Sequence, residues 1–111
     1  MHIKKIKLTN FRNYEDQEVF FDKNINIFYG NNAQGKTNLL EAIYLCAIGK
    51  SYRTNRDKEL VKEDSRYLTA SVEYEKKDRE GKISVNISEK KVIAVNDIKI
   101  KKMSEVLGNI N

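Results

Sequence analysis

The stretch Gly30-Asn31-Asn32-Ala33-Gln34-Gly35-Lys36-Thr37 fits G-x-x-x-x-G-K-[ST] without a mismatch. Loops of this kind hold polyphosphates. Two glycines let successive backbone N–H groups turn into one concavity at a helix N-terminus, where the helix dipole favours anions. Lys36 would set a compact positive charge against the β- and γ-phosphates. The Thr37 hydroxyl is a hard oxygen ligand suited to the Mg²⁺ that bridges them. From ordinary residue frequencies the pattern arises in on the order of one in a few hundred chains this long, so its flanking elements carry much of the weight.

Those elements are the ones the loop requires. Ile25 to Tyr29 is a short β-rich apolar run, and a helix is predicted over 36–48, stopped by Gly49. Strand, loop, helix is the setting of a phosphate-binding P-loop. The helix is apolar around most of its circumference, with Asn38 and Glu41 the main exceptions, which predicts burial between sheet layers. Cys46, the only cysteine, lies among Leu45, Ala47 and Ile48 and reads as a small buried hydrophobe. His2, the only histidine, has no Cys, Asp or Glu partners at ligand spacing, so zinc is not indicated.

Around this unit the chain alternates like a sheet. Ile3, Ile6 and Leu8 predict a first strand with a lysine-rich exposed side, and Glu18 to Asp22 its partner. Thr9 to Tyr14 is a polar and aromatic connecting loop between them. By spacing, its Arg12 and Asn13 either fold back near the bound nucleotide or belong to an ordinary loop. After Gly49 comes a polar, basic connector, Lys50 to Lys58. Here Arg53 or Arg56 either reaches a phosphate of ATP or DNA, or is simply solvated. Leu68, Ala70, Val72 and Tyr74, then Ile83, Val85 and Ile87, predict two half-buried antiparallel strands joined through a charged turn at Lys77–Lys82. Val92–Val95 and Ile98–Ile100 predict a hairpin about Asn96-Asp97, and Met103–Gly108 one or two helical turns.

A chain of 111 residues is one domain or less, and short for a nucleotide hydrolase. A charged fraction of 33% and a net charge of +5 suit a soluble protein with a modest preference for polyanions. Neither a signal-like N-terminus nor an apolar run approaching ~18 residues is present, so a cytoplasmic location away from membranes is expected. The polar end at Asn111, without a finished element, is expected to be a truncation.

A P-loop specifies a nucleotide and leaves the reaction open. Asp78-Arg79-Glu80-Gly81 matches the D-x-x-G of small GTPases, but Glu75-Lys76-Lys77 before it make a solvated hairpin tip rather than a buried strand end, and no N-K-x-D motif occurs. A nucleoside kinase would need a lid and a helical body, whereas the second half of this chain is a meander of strands. The predicted fold is α/β: the N-terminal part of a P-loop NTPase of the ABC-ATPase head type, with a mixed or antiparallel β-sheet packed on the P-loop helix.

Longer runs are more specific. Thr9-Asn10-Phe11-Arg12-Asn13-Tyr14, Asn26 through Leu45, Gly49-Lys50-Ser51-Tyr52-Arg53-Thr54 and Arg56-Asp57-Lys58-Glu59-Leu60 closely resemble the N-terminal part of the RecF family of bacterial DNA replication and repair proteins. The resemblance covers essentially the whole chain and about the first third of such a protein. One departure is Ala33, where such loops usually carry glycine. The resemblance implies ATP and Mg²⁺ as cofactors, held by residues Gly30 to Asn38 with Thr37 on the metal, and makes Arg12 and Asn13 neighbours of the nucleotide. It also implies a phosphate contact for Arg53 or Arg56. For the full-length protein it implies an ATP-dependent homodimer that binds single-stranded, duplex or gapped DNA, helps load recombinase in repair and the SOS response, and has RecO and RecR as partners. Walker B carboxylates and the signature motif lie downstream in such proteins, so residues 1–111 are expected to bind nucleotide weakly at most and not to hydrolyse it. The competing expectation is a stand-alone DNA- or protein-interaction module with a vestigial P-loop. Its surface would be the lysines Lys4, Lys5, Lys7, Lys90, Lys91, Lys99, Lys101 and Lys102.

Overall fold

The computed structural model describes residues 2–21 and 33–100, with only the backbone described at 33–36. The predicted strand at Ile25–Tyr29 and the helical turn at Met103–Gly108 lie outside the described residues. Six strands form one antiparallel sheet: β1 (His2–Phe11), β2 (Tyr14–Phe20), β3 (Leu68–Lys76), β4 (Arg79–Ile87), β5 (Lys91–Val95) and β6 (Ile98–Lys99), in the order β2-β1-β3-β4-β5-β6. Among the described residues one α-helix, α1 (Ala33–Ile48), packs across β3 and β4.

Period-2 alternation and register together build the core. Ile6 pairs with Val72, Val72 with Ile83 and Ile83 with Val95, and the next row runs Leu8, Ala70, Val85, Ile93. Apolar side chains thus line up perpendicular to the strands on one face. Leu39, Ala42, Leu45 and Cys46 of α1 join this cluster. Burial pushes the Cys46 thiol up to about 12, so it acts as a packing group and not as a nucleophile. Ile3 and Ile6 do not share strand parity, yet both reach the core. The register slips between Ile3 and Lys5, and this bulge returns Ile3 to the buried side.

The opposite face carries the charges. Lys5 pairs with Glu73 at 2.9 Å and Lys4 with Glu80, while on the core side of the sheet Lys91, opposite Ile87, pairs with Asp57 at 3.2 Å. Of the lysines predicted as a free basic patch, Lys4, Lys5 and Lys91 are thus paired with carboxylates. Among the described residues no helix is long and apolar enough to cross a membrane.

Several local expectations are corrected. The supposed loop at Thr9–Tyr14 is mostly strand, because β1 runs to Phe11 and turns through Arg12 and Asn13 alone. The charged turn at Lys77–Lys82 shrinks to Lys77 and Asp78, with φ of 50° and 64°, and the strand resumes at Arg79. Two consecutive left-handed residues match the right-handed twist of a hairpin, which wider turns splay. The helix starts at Ala33 rather than 36, and a helical position suits alanine better than glycine. It is not enclosed all round either: Leu40 is 50% exposed and Tyr44 37%, while the two polar residues, Asn38 and Glu41, are buried.

Gly81 faces Tyr74 across the β3–β4 pair, and a Cβ there would lie 2.3 Å from the Tyr74 ring. Gly81→Ala should therefore displace a buried ring and destabilise the fold by about 1–3 kcal/mol, measured as a lower urea midpoint at unchanged m-value.

Candidate functional site

Three segments meet beside the N-terminal half of α1. The first is the β1–β2 turn, where Arg12 adopts a left-handed φ of 54°. That conformation is normally left to glycine, and for a side chain as large as arginine it persists only where surrounding contacts impose it. They do so here. The Arg12 amide donates to the Leu60 carbonyl at 2.7 Å, and the Lys62 amide donates to the Asn10 carbonyl at 2.7 Å. The second segment is α1 itself. The third is the connector from Gly49 to Val61, which begins where Gly49, at φ 91°, ends the helix and donates to the Leu45 carbonyl. It contains a 3-10 turn at Asp57–Leu60 and then bridges back to Phe11 through Val61.

At their junction sits Glu41, fully buried. Arg12 grips it with a fork: Nε donates to Oε1 at 2.9 Å and Nη2 to Oε2 at 2.8 Å. Ser51 donates its hydroxyl to Oε2 at 2.5 Å, and Arg53 Nη1 donates to Oε1 at 3.2 Å. The same Arg53 nitrogen donates to Asn38 Oδ1 at 2.8 Å, while Asn38 Nδ2 donates to Asn13 Oδ1 at 3.0 Å. The Ser51 hydroxyl in turn accepts from the Arg53 and Thr54 amides, which fixes the connector's first turn.

The electrostatics follow from this arrangement. Burial pushes the Glu41 carboxyl up, but hydrogen bonds from Arg12 and Ser51, with the charges of Arg12 and Arg53, outweigh it and hold the group below the usual carboxylate value. The fork onto Glu41 raises Arg12 in return. Two guanidiniums share the Glu41 carboxylate beside the first turns of the P-loop helix, and the Glu59 charge also acts on Arg12. Arg53 has 26% of its side chain exposed, and its Nε and Nη2 make no hydrogen bond among the described residues. Such an arrangement can accept an anion.

The predicted site residues divide accordingly. Gly30, Asn31 and Asn32 lie outside the described residues, and Ala33, Gln34, Gly35 and Lys36 form the first turn of α1. Thr37 is half-buried and Asn38 buried on that helix. Arg12, Asn13, Asn38 and Arg53 are brought together, whereas Arg56 stands apart: it is exposed and its side chain makes no hydrogen bond or ion pair among the described residues. Asp78, of the GTPase-like match, is exposed at the β3–β4 tip. Glu41 and Ser51 were missed as members. The signal was available for Glu41, because a lone carboxylate on an otherwise apolar helix beside a P-loop is buried only if it is paired.

A depressed carboxyl has a definite acid signature. Glu41 stabilises the fold fully above its unfolded value of about 4.5 and withdraws that contribution as the pH falls through its lower folded value. Urea midpoints should therefore drop steeply below about pH 4.5, and less steeply in Glu41→Gln, which has no charge there to lose.

Comparison with known proteins identifies the family and the fold. A family model described as an AAA domain matches residues 5–109. The DNA replication and repair protein RecF of Clostridium botulinum (strain ATCC 19397 / Type A) is 53% identical over 113 residues, covering 100% of this chain and 31% of the relative. RecF of Clostridium kluyveri is 51% identical over the same shares. Among solved structures, the recombination mediator protein RecF with ATP, of the RecFOR pathway, superposes with a TM-score of 0.87 at 41% identity, covering 99% of this chain and 30% of that one. The SMC head domain of Thermotoga maritima superposes with a TM-score of 0.70 at 13% identity, over 100% of this chain and 43% of that one, which speaks to the fold alone. This chain spans about a third of the length of the curated relatives it matches. It belongs to the AAA domain family, with the P-loop fold of RecF and SMC ATPase heads, and is similar along its whole length to the N-terminal part of RecF.

Proposed function

We propose that this chain is the ATP-binding N-terminal portion of a RecF-type protein acting in DNA replication and repair. The observation that carries the reading is the unbroken G-x-x-x-x-G-K-T at 30–37, leading into α1, within a chain that matches ATP-bound RecF over 99% of its length. In this reading the backbone of Gly30 to Gly35 cradles the phosphates, Lys36 neutralises the β- and γ-phosphates, and Thr37 holds the Mg²⁺. Asn38, Arg12, Asn13 and Arg53 border the cradle, the arginines matching the planar, multi-oxygen geometry of a phosphate. When bound, Mg²⁺ would supply charge neutralisation between the terminal phosphates. The carboxylates and signature motif expected to work on the nucleotide belong to later parts of such proteins.

In the full-length protein, ATP would drive a homodimer that holds single-stranded, duplex or gapped DNA, helps load recombinase and works with RecO and RecR. Arg56 is better placed than Arg53 for DNA, because Arg53 is engaged with Glu41 and Asn38 while the exposed Arg56 side chain has no hydrogen bond or ion pair among the described residues.

MgATP at about a hundred times its Kd should stabilise the chain by roughly 2.7 kcal/mol and raise the melting temperature accordingly, and Lys36→Met should abolish the rise. Equal shifts in both proteins would mean that the cradle is not the binding site. For DNA, Arg56→Glu in the full-length protein should weaken binding across sequences and reduce the salt slope by about one or more, leaving the MgATP-induced shift intact. Unchanged DNA affinity would remove Arg56 from the contact surface.

A further inference from the structure

The geometry points to Glu41 as a positioning residue for the nucleotide site: its buried carboxylate holds Arg12 and Arg53 together so that the free edge of Arg53 faces a phosphate held at the start of α1. The inference rests on the ATP-binding reading above and adds to it a residue that touches no ligand.

Helical spacing places Glu41 next to the site. Thr37 and Glu41 are four residues apart, so they lie on one helix face about 6 Å apart along the axis. Asn38, three residues before Glu41, is on the same side and shares the Arg53 nitrogen. A guanidinium anchored to both is within a side-chain length of an anion at Thr37. Arg53 uses only Nη1 for these contacts, which leaves Nε and Nη2 as a two-donor edge without a hydrogen bond among the described residues. That edge is the part of an arginine that matches two oxygens of one phosphate.

Glu41 is needed because arginines repel one another. Two guanidiniums converging on one helix turn without an anion would separate into solvent, where both already have an open side, at 22% and 26% exposure. One carboxylate between them keeps both close. It also ties the strained turn at Arg12, φ 54°, to the connector through Ser51, so the two flanks of the site move as one body. Glutamine in its place would keep the shape and one acceptor oxygen but lose the charge that holds two cations.

The test is calorimetric titration of MgATP into wild-type chain, Glu41→Gln, Arg53→Ala and the double variant, at a temperature where far-UV circular dichroism shows each one folded. Glu41→Gln should weaken MgATP by ~10-fold, and the double variant should bind no more weakly than Arg53→Ala alone, since Glu41 acts through that arginine. A merely structural Glu41 would lower the melting temperature and leave the affinity of the folded protein within about twofold of wild type, which would overturn the inference. Additive losses in the double variant would overturn it too. If Glu41→Gln does not fold, Arg12→Lys decides: it keeps the charge, loses the fork, and should weaken MgATP ~3-fold or more, whereas wild-type affinity counts against the inference. Wild-type chain that binds no MgATP, in line with Lys36→Met, would instead overturn the ATP-binding reading itself.

Discussion

A single buried carboxylate holds the functional end of this molecule together. Taking an ionised glutamate out of water costs several kcal/mol, and only close, well-aligned partners offset it. Glu41 has three: the Arg12 fork, the Ser51 hydroxyl and one nitrogen of Arg53. They come from the turn between β1 and β2 and from two points of the connector after α1. Removing one partner of such a group typically costs about 3–5 kcal/mol because the remaining charge is stranded. Asn10, Leu60 and Lys62 add backbone bonds between the same hairpin and connector, so the junction is fastened by main chain as well as by charge.

The sheet supplies the rigid floor under this junction. Its apolar rows run unbroken from β1 to β5, and the small residue Ala70 in the middle of β3 is fully buried where α1 packs on β3 and β4. Placing α1 also places the start of the helix, since an α-helix is a stiff rod over 16 residues. The outer face of the sheet answers lysine with glutamate, most directly in the Lys5–Glu73 pair that the register sets opposite one another. Exposed pairs of this kind contribute little to stability. Their effect is to prevent the excess of basic residues from gathering into one field across the β1–β3–β4 surface.

Arg53 and Arg56, three residues apart on the connector, show how local context separates like residues. Ser51 turns the chain so that the Arg53 amide meets the Ser51 hydroxyl and its side chain points back to α1. Thr54 then caps the Arg56 amide and bonds Glu59, which starts the 3-10 turn and leaves the Arg56 side chain facing water. One arginine is thereby committed to the helix junction and the other left for the surface.

The sequence by itself determined the phosphate-binding motif, the helix after it, and the alternating strands from Leu68 to Ile100, because each rests on local periodicity or on a fixed spacing of residue types. It also marked Arg12, Asn13, Arg53 and Arg56 as candidates, on their nearness in sequence to the motif and on resemblance. Only the tertiary structure decided what they touch. Turn lengths at Arg12-Asn13 and Lys77-Asp78 depend on left-handed φ values that no residue pattern announced, since neither turn contains glycine. The bulge that turns both Ile3 and Ile6 toward the core depends on the partner strand. The apolar circumference of the helix predicts burial all round, yet Leu40 and Tyr44 are exposed, and Asn38 and Glu41, its polar exceptions, are buried. Periodicity records how much of a helix is apolar. Which side faces inward was fixed by two arginines and a serine arriving from segments 10 to 29 residues away, and charge pairing across that distance has no signature in the local pattern.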